Sequence, residues 1–169
     1  METLYILTVT DSHNCTDTDS VRVEVNEPPT AEAGDDIEIC IGDLASLQAT
    51  GGTSYMWEDQ PEISDRSIAN PTILLASSSM LTVSVTDLNG CTSEDSLFIR
   101  INPLPDIDAG LDQEICFGET TQVEVTGGVS YIWTPSFSTA AILEVSPQIT
   151  SIFSVVGTDE NGCRSSDLT

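Results

Sequence analysis

The sequence predicts an all-β chain of tandem β-sandwich repeats, each about 76 residues long, on three observations. Short runs rich in Val, Ile, Leu and Thr alternate with polar residues, and no stretch keeps a 3.6-residue apolar period. Turn dipeptides punctuate these runs at sandwich spacing. Finally, whole blocks of sequence recur at one fixed offset, which is how repeat architectures announce themselves.

The blocks define the register. Asn26-Glu27-Pro28-Pro29 and the following Ala33-Gly34-Asp35-Asp36-Ile37-Glu38-Ile39-Cys40 recur 76 positions later, as Asn102-Pro103-Leu104-Pro105 and Ala109-Gly110-Leu111-Asp112-Gln113-Glu114-Ile115-Cys116. The same offset carries Thr50-Gly51-Gly52-Thr53-Ser54-Tyr55-Met56-Trp57 onto Thr126-Gly127-Gly128-Val129-Ser130-Tyr131-Ile132-Trp133. A third block, Val85-Thr86-Asp87-Leu88-Asn89-Gly90-Cys91, matches Val9 to Cys15 at 76 and Gly157 to Cys163 at 72. Residues 1–26 therefore read as the C-terminal strands of a partial repeat, 27–102 as a complete repeat, and 103–169 as a repeat cut before its last strand.

Within 27–102 the alternation predicts strands over residues 37–40, 44–49, 54–58, 72–75, 80–86 and 96–101, with two more at 4–10 and 20–25. Gly51-Gly52 and Asn89-Gly90 tolerate the positive φ of hairpin turns, while Pro28-Pro29 and the pair Pro103 and Pro105 interrupt ladders and mark stiff linkers. Tyr55 and Trp57 are two apart in a strand and share a face, as do Tyr131 and Trp133. These four are read as core aromatics filling the space between sheets, with an exposed glycan platform as the rival reading.

Composition narrows the function. Four arginines, no lysine and 28 acidic residues leave a formal charge of -24, which repels nucleic-acid phosphates and anionic lipid surfaces. The acidity serves solubility, or alternatively attracts cations or a basic partner. The longest apolar patch, residues 72–76, is too short to span a bilayer, and no export signal follows Met1.

Five cysteines fall at repeating positions. One pair per repeat predicts disulfides from Cys40, Cys91, Cys116 and Cys163, joined as Cys40 to Cys91 and Cys116 to Cys163, with Cys15 an orphan. Each would close a loop of about fifty residues and add roughly 4 kcal/mol on the chain-entropy account, in an oxidising, extracellular compartment. The cysteines are not closely paired and have no neighbouring histidine, which argues against zinc.

No catalytic constellation recurs between copies, so the chain is not read as an enzyme. His13 lies in a predicted hairpin turn, where Asn89 stands in the next copy. No cofactor is expected, calcium excepted: Asp36, Asp87 and Asp95, matched by Asp112, Asp159 and Asp167, are candidate hard-oxygen ligands if they converge at a domain end. The alternative for the Thr-Asp blocks is that the aspartate caps the turn.

The succession A-G-x-D-x-x-I-C-x-G, T-G-G-x-S-Y-x-W, A-N-P and V-T-D-x-N-G-C is carried by Ala33 to Gly42, Gly51 to Trp57, Ala69-Asn70-Pro71 and Val85 to Cys91. It resembles the PKD-like, immunoglobulin-like repeats of long Bacteroidota surface proteins, including SprB-type gliding-motility adhesins exported by type IX secretion. The resemblance covers essentially the whole chain; the second copy departs from it with Val145-Ser146-Pro147 in place of Ala-Asn-Pro. It implies a cell-surface spacer in a fibre or adhesin. The expected partners are neighbouring repeats of the same or identical chains, with surface glycans or other surface proteins beyond them. Strand exchange between cut ends, giving a filament, is a further possibility.

Overall fold

The computed structural model describes residues 2–169, and every regular element in it is a strand. Two strands, β1 (Glu2–Thr10) and β2 (Thr16–Glu24), form an antiparallel hairpin in continuous register from Glu2 opposite Glu24 to Thr10 opposite Thr16. The 27–102 segment contributes β3 (Ile37–Cys40), β4 (Leu44–Ser46), β5 (Ser54–Trp57), β6 (Thr72–Leu74), β7 (Ser79–Thr86) and β8 (Thr92–Asn102). These make a four-stranded sheet ordered β3-β8-β7-β5 and a two-stranded sheet of β4 and β6. The remainder holds β9 (Thr121–Glu124), β10 (Ser130–Thr134), β11 (Ile142–Val145), β12 (Ser154–Thr158) and β13 (Arg164–Leu168), in sheets ordered β10-β12-β13 and β11-β9. Two sheets with buried inner faces and Greek-key strand order are an immunoglobulin-like β-sandwich.

The chain packs as two compact units, the first made of residues 1–34, 47–71 and 81–96 and the second of 35–46, 72–80 and 97–169. In the first, alternation along β7 buries Leu81, Val83 and Val85, and Trp57 lies in the same interior class. In the second, Ile107, Ala109, Val123, Val125, Trp133, Val145 and Val155 form one cluster, flanked by Tyr131, Leu143 and Phe153.

The recurring motifs each have a structural task. Gly51 has φ +104°, and a Cβ there would stand 1.8 Å from the carbonyl oxygen of Thr30; Gly127 repeats the approach at 1.8 Å from that of Asp106. The linker crosses this turn so closely that only glycine fits. The crossing is held by the isolated bridges Glu32 to Thr50 and Asp108 to Thr126.

Differences between copies are compensated locally. The β7 core residue Val85 becomes Gly157 in β12, and a Cβ at Gly157 would meet the Ile107 side chain at 2.2 Å. Ile107 replaces Ala31 at the matched position, so volume lost from the strand is regained from the linker.

The structure corrects the disulfide pairing. Cys40 is bonded to Cys163, with Cα atoms 5.5 Å apart, while Cys15, Cys91 and Cys116 are free. The reason is the direction of β3. It pairs in parallel with the far end of β8, Ile37 opposite Ile99 and Cys40 opposite Asn102. Cys91 precedes the near end of that eleven-residue strand. At the rise of an extended chain the two cysteines are roughly 35 Å apart, against the 4.4–6.8 Å a disulfide spans.

Candidate functional site

The disulfide of the chain lies near the end of β8. Its last residue, Asn102, is buried, and its side-chain amide donates to Glu38 Oε1 at 2.9 Å. Its carbonyl accepts the Ile41 N–H at 2.8 Å, and the Asp43 N–H closes a turn on the Cys40 carbonyl at 3.0 Å. These bonds fix the loop after β3 and present the Cys40 sulfur to Cys163, which is buried in the turn between β12 and β13.

That second turn is built by Asp159. Its Oδ1 accepts the N–H groups of Asn161 at 2.9 Å and Cys163 at 2.8 Å, and Gly162 takes φ +82°. Asp87 does the same for Asn89 and Cys91, and Asp11 for His13 and Cys15. In the first hairpin Asn14 supplies the left-handed residue at φ +61° in place of glycine. His13 is therefore an exposed turn residue, 3.9 Å from Asp11.

The other candidate calcium ligands are likewise occupied with backbone amides. Asp95 Oδ2 accepts the Ala33 N–H at 2.7 Å, and Asp167 Oδ2 the Ala109 N–H at 2.9 Å, so one strand carboxylate pins the linker in each copy. These bonds, from Ala33 and then Ser96 for Asp95 and from Ala109 and then Leu168 for Asp167, hold both carboxyls below the usual carboxylate value. Asp36 Oδ1 accepts the Phe98 N–H at 2.8 Å. Among the described residues no three His, Cys, Asp or Glu side chains are grouped to hold a metal ion.

Trp57 and Trp133 are 0% exposed. Each ring N–H is satisfied inside the protein, by the Ile68 carbonyl at 3.1 Å and the Ala140 carbonyl at 3.0 Å. Tyr55 and Tyr131 are half-buried and donate to the carbonyls of Gly52 and Gly128. No flat aromatic platform is left for a sugar ring at these positions.

The free cysteines follow the same geometry. Cys91 occupies the turn position of Cys163, and Cys116 the strand-end position of Cys40. The sequence signal for this was the placement of the two cysteines at opposite ends of the repeat, which fits pairing between successive repeats as well as pairing within one.

No family model matches the chain, and no curated protein matches it. Among solved structures it is similar to the N-terminal eight Ig domains of Down Syndrome Cell Adhesion Molecule, at TM-score 0.55 and 12% identity over 99% of this chain and 30% of that one. It is also similar to the PKD domain of the KIAA 1837 protein, at TM-score 0.39 and 19% identity over 54% of this chain and all of that one. The insect immune protein hemolin matches at TM-score 0.45 and 14% identity, over 98% of this chain and 55% of that one. The first of these likenesses supports the immunoglobulin-like sandwich and nothing beyond the fold.

Proposed function

We propose that the chain is a disulfide-stapled spacer of an extracellular adhesin or fibre, whose work is to carry tension and hold a surface at a distance. One observation carries this reading: Cys40 of one repeat is covalently joined to Cys163 of the next, 123 residues away. A bond across successive repeats shields the intervening chain from extension, a property that serves a load-bearing tether. It also constrains the unfolded chain, adding about 5 kcal/mol on the loop-entropy account. A persistent disulfide and a charge of -24 suit an oxidising exterior and a soluble surface. Attachment to a cell surface, export by type IX secretion and a part in gliding motility rest on the sequence resemblance to SprB-type repeats.

Single-molecule extension tests the proposal. The oxidised chain should reach a contour length shorter than the reduced chain by roughly 400 Å, the span of the bypassed segment at about 3.5 Å per residue. Equal contour lengths would remove the load-bearing role.

A further inference from the structure

The sheet β10-β12-β13 turns Trp133 and Val155 into the core and leaves its other side to solvent. On that outer side the register sets Ser130 opposite Thr158, Ile132 opposite Val156 and Thr134 opposite Ser154. Arg164 and Ser166 of β13 continue two of these rows. Ile132 and Val156 are thus an apolar cross-strand pair, 52% and 38% exposed, framed by hydroxyls. In a chain of formal charge -24 this face carries no acid and one arginine, and residues 125–143 and 145–158 hold no charge at all. The matching face of 27–102 is different, with Glu58 in the place of Thr134 and Glu94 in the place of Ser166. Asp159 and Glu160 lie in the turn beyond the Arg164 corner, Asp159 already bonded to the amides of Asn161 and Cys163.

At the Thr134 end of the face the chain closes a short loop. The Phe137 N–H donates to the Trp133 carbonyl at 2.7 Å, and the Trp133 N–H to the Ser138 carbonyl at 2.9 Å. Phe137 is held there at φ +56° and is 77% exposed. Left-handed backbone favours glycine, and an exposed ring gains nothing from the core, so both features oppose folding. A ring kept exposed at a strained position by two backbone bonds is poised for a contact outside the chain.

We propose that this face and Phe137 bind a neutral polysaccharide of β-linked pyranose rings, an inference that rests on the extracellular spacer reading and names what this repeat holds. The Phe137 ring stacks on the apolar C–H face of one sugar, and Ile132 with Val156 underlies the next. The surrounding hydroxyls and the Arg164 guanidinium exchange hydrogen bonds with equatorial sugar hydroxyls. Charge selects the occupant: a neutral polymer buries no carboxylate on this face, whereas the rest of the chain repels an anionic one. Size argues against a second copy. Three strands of five residues present roughly 10 Å by 14 Å, on the order of 140 Å², against the about 800 Å² per partner of a stable protein interface.

Calorimetric titration of the full chain with β-linked hexasaccharides of glucose, N-acetylglucosamine and mannose tests the site, with alginate as the anionic control. At least one of the three should bind, and alginate should not. Phe137→Gly removes the ring while relaxing the backbone, so it should keep or raise the melting temperature and weaken binding by about tenfold or more. Ile132→Glu, at an exposed position, should weaken binding as much with little change in melting. Phe117→Ala removes a ring that is 84% exposed elsewhere on the same repeat and should leave binding unchanged. Binding of none of the three sugars, equal binding of alginate, full binding by Phe137→Gly or Ile132→Glu, or loss of binding in Phe117→Ala would overturn the proposal. Self-association in sedimentation that Ile132→Glu abolishes would overturn it too, since the face would then belong to a second copy. The spacer reading fails separately, on equal contour lengths, and stands whichever way the titration falls.

Discussion

The hairpins β1–β2 and β7–β8 are one sequence pattern seen in two environments. Tyr5, Leu7, Val9, Val21 and Val23 match Leu81, Val83, Val85, Leu97 and Ile99. The first five are 43% to 65% exposed, and the second five at most 1%. Their turns are the same, each an aspartate accepting two backbone N–H groups ahead of the cysteine. Strand pairing and turn chemistry are thus local and travel with the sequence, while burial is conferred by the rest of the sandwich.

That contrast gives the largest expected effect. Val83→Asp places an unpaired carboxylate in the core and should destabilise by about 4 kcal/mol or more, whereas the matched Leu7→Asp should change stability by less than about 0.5 kcal/mol. Chemical denaturation of both variants checks this, and equal losses would mean that the first hairpin is packed after all.

The third hairpin, β12–β13, sharpens the comparison through its glycine. Gly157→Val should overpack the core and cost about 2 kcal/mol, and Ile107→Ala added to it should recover most of the loss by restoring the volumes of the 27–102 copy. A double-mutant cycle measures the recovery; additive losses would contradict the pairing of these two positions.

The smallest effect concerns acid. Asp95 and Asp167 have carboxyls held below the ordinary aspartate value of 3.8 in the folded chain, by the backbone N–H groups of Ala33 and Ala109. The unfolded chain therefore binds more protons just below 3.8. The stability each contributes is complete above that pH and is lost as pH falls through the lowered native value. Asp95→Asn should flatten the acid limb of the stability curve in that window. An unchanged acid limb in Asp95→Asn would contradict the linker clamp.

Much of the fold was legible because its determinants are short-range. Alternation marked every strand of the 27–102 segment, and the repeating Gly-Gly and Asp-x-Asn-Gly turns separated them. The linker glycine was marked by recurrence, although its cause, the carbonyl of Thr30, required the structure. The cysteine pairing was not legible, because it depends on β3 running parallel to β8, a long-range choice that strand alternation does not encode. Read as an antiparallel neighbour, the same strand would have brought Cys40 toward Cys91. The candidate calcium ligands show the same limit: recurrence identified aspartates that matter, and only geometry showed that Asp95 and Asp167 hold linkers and Asp87 and Asp159 hold turns.

The central claim, a covalent bond between successive repeats, is tested most directly by mapping disulfides in the monomeric protein after alkylation without reductant. The structure predicts one cross-linked peptide pair joining Cys40 to Cys163, with Cys15, Cys91 and Cys116 alkylated. Recovery of Cys40 joined to Cys91, or of Cys116 joined to Cys163, would contradict it.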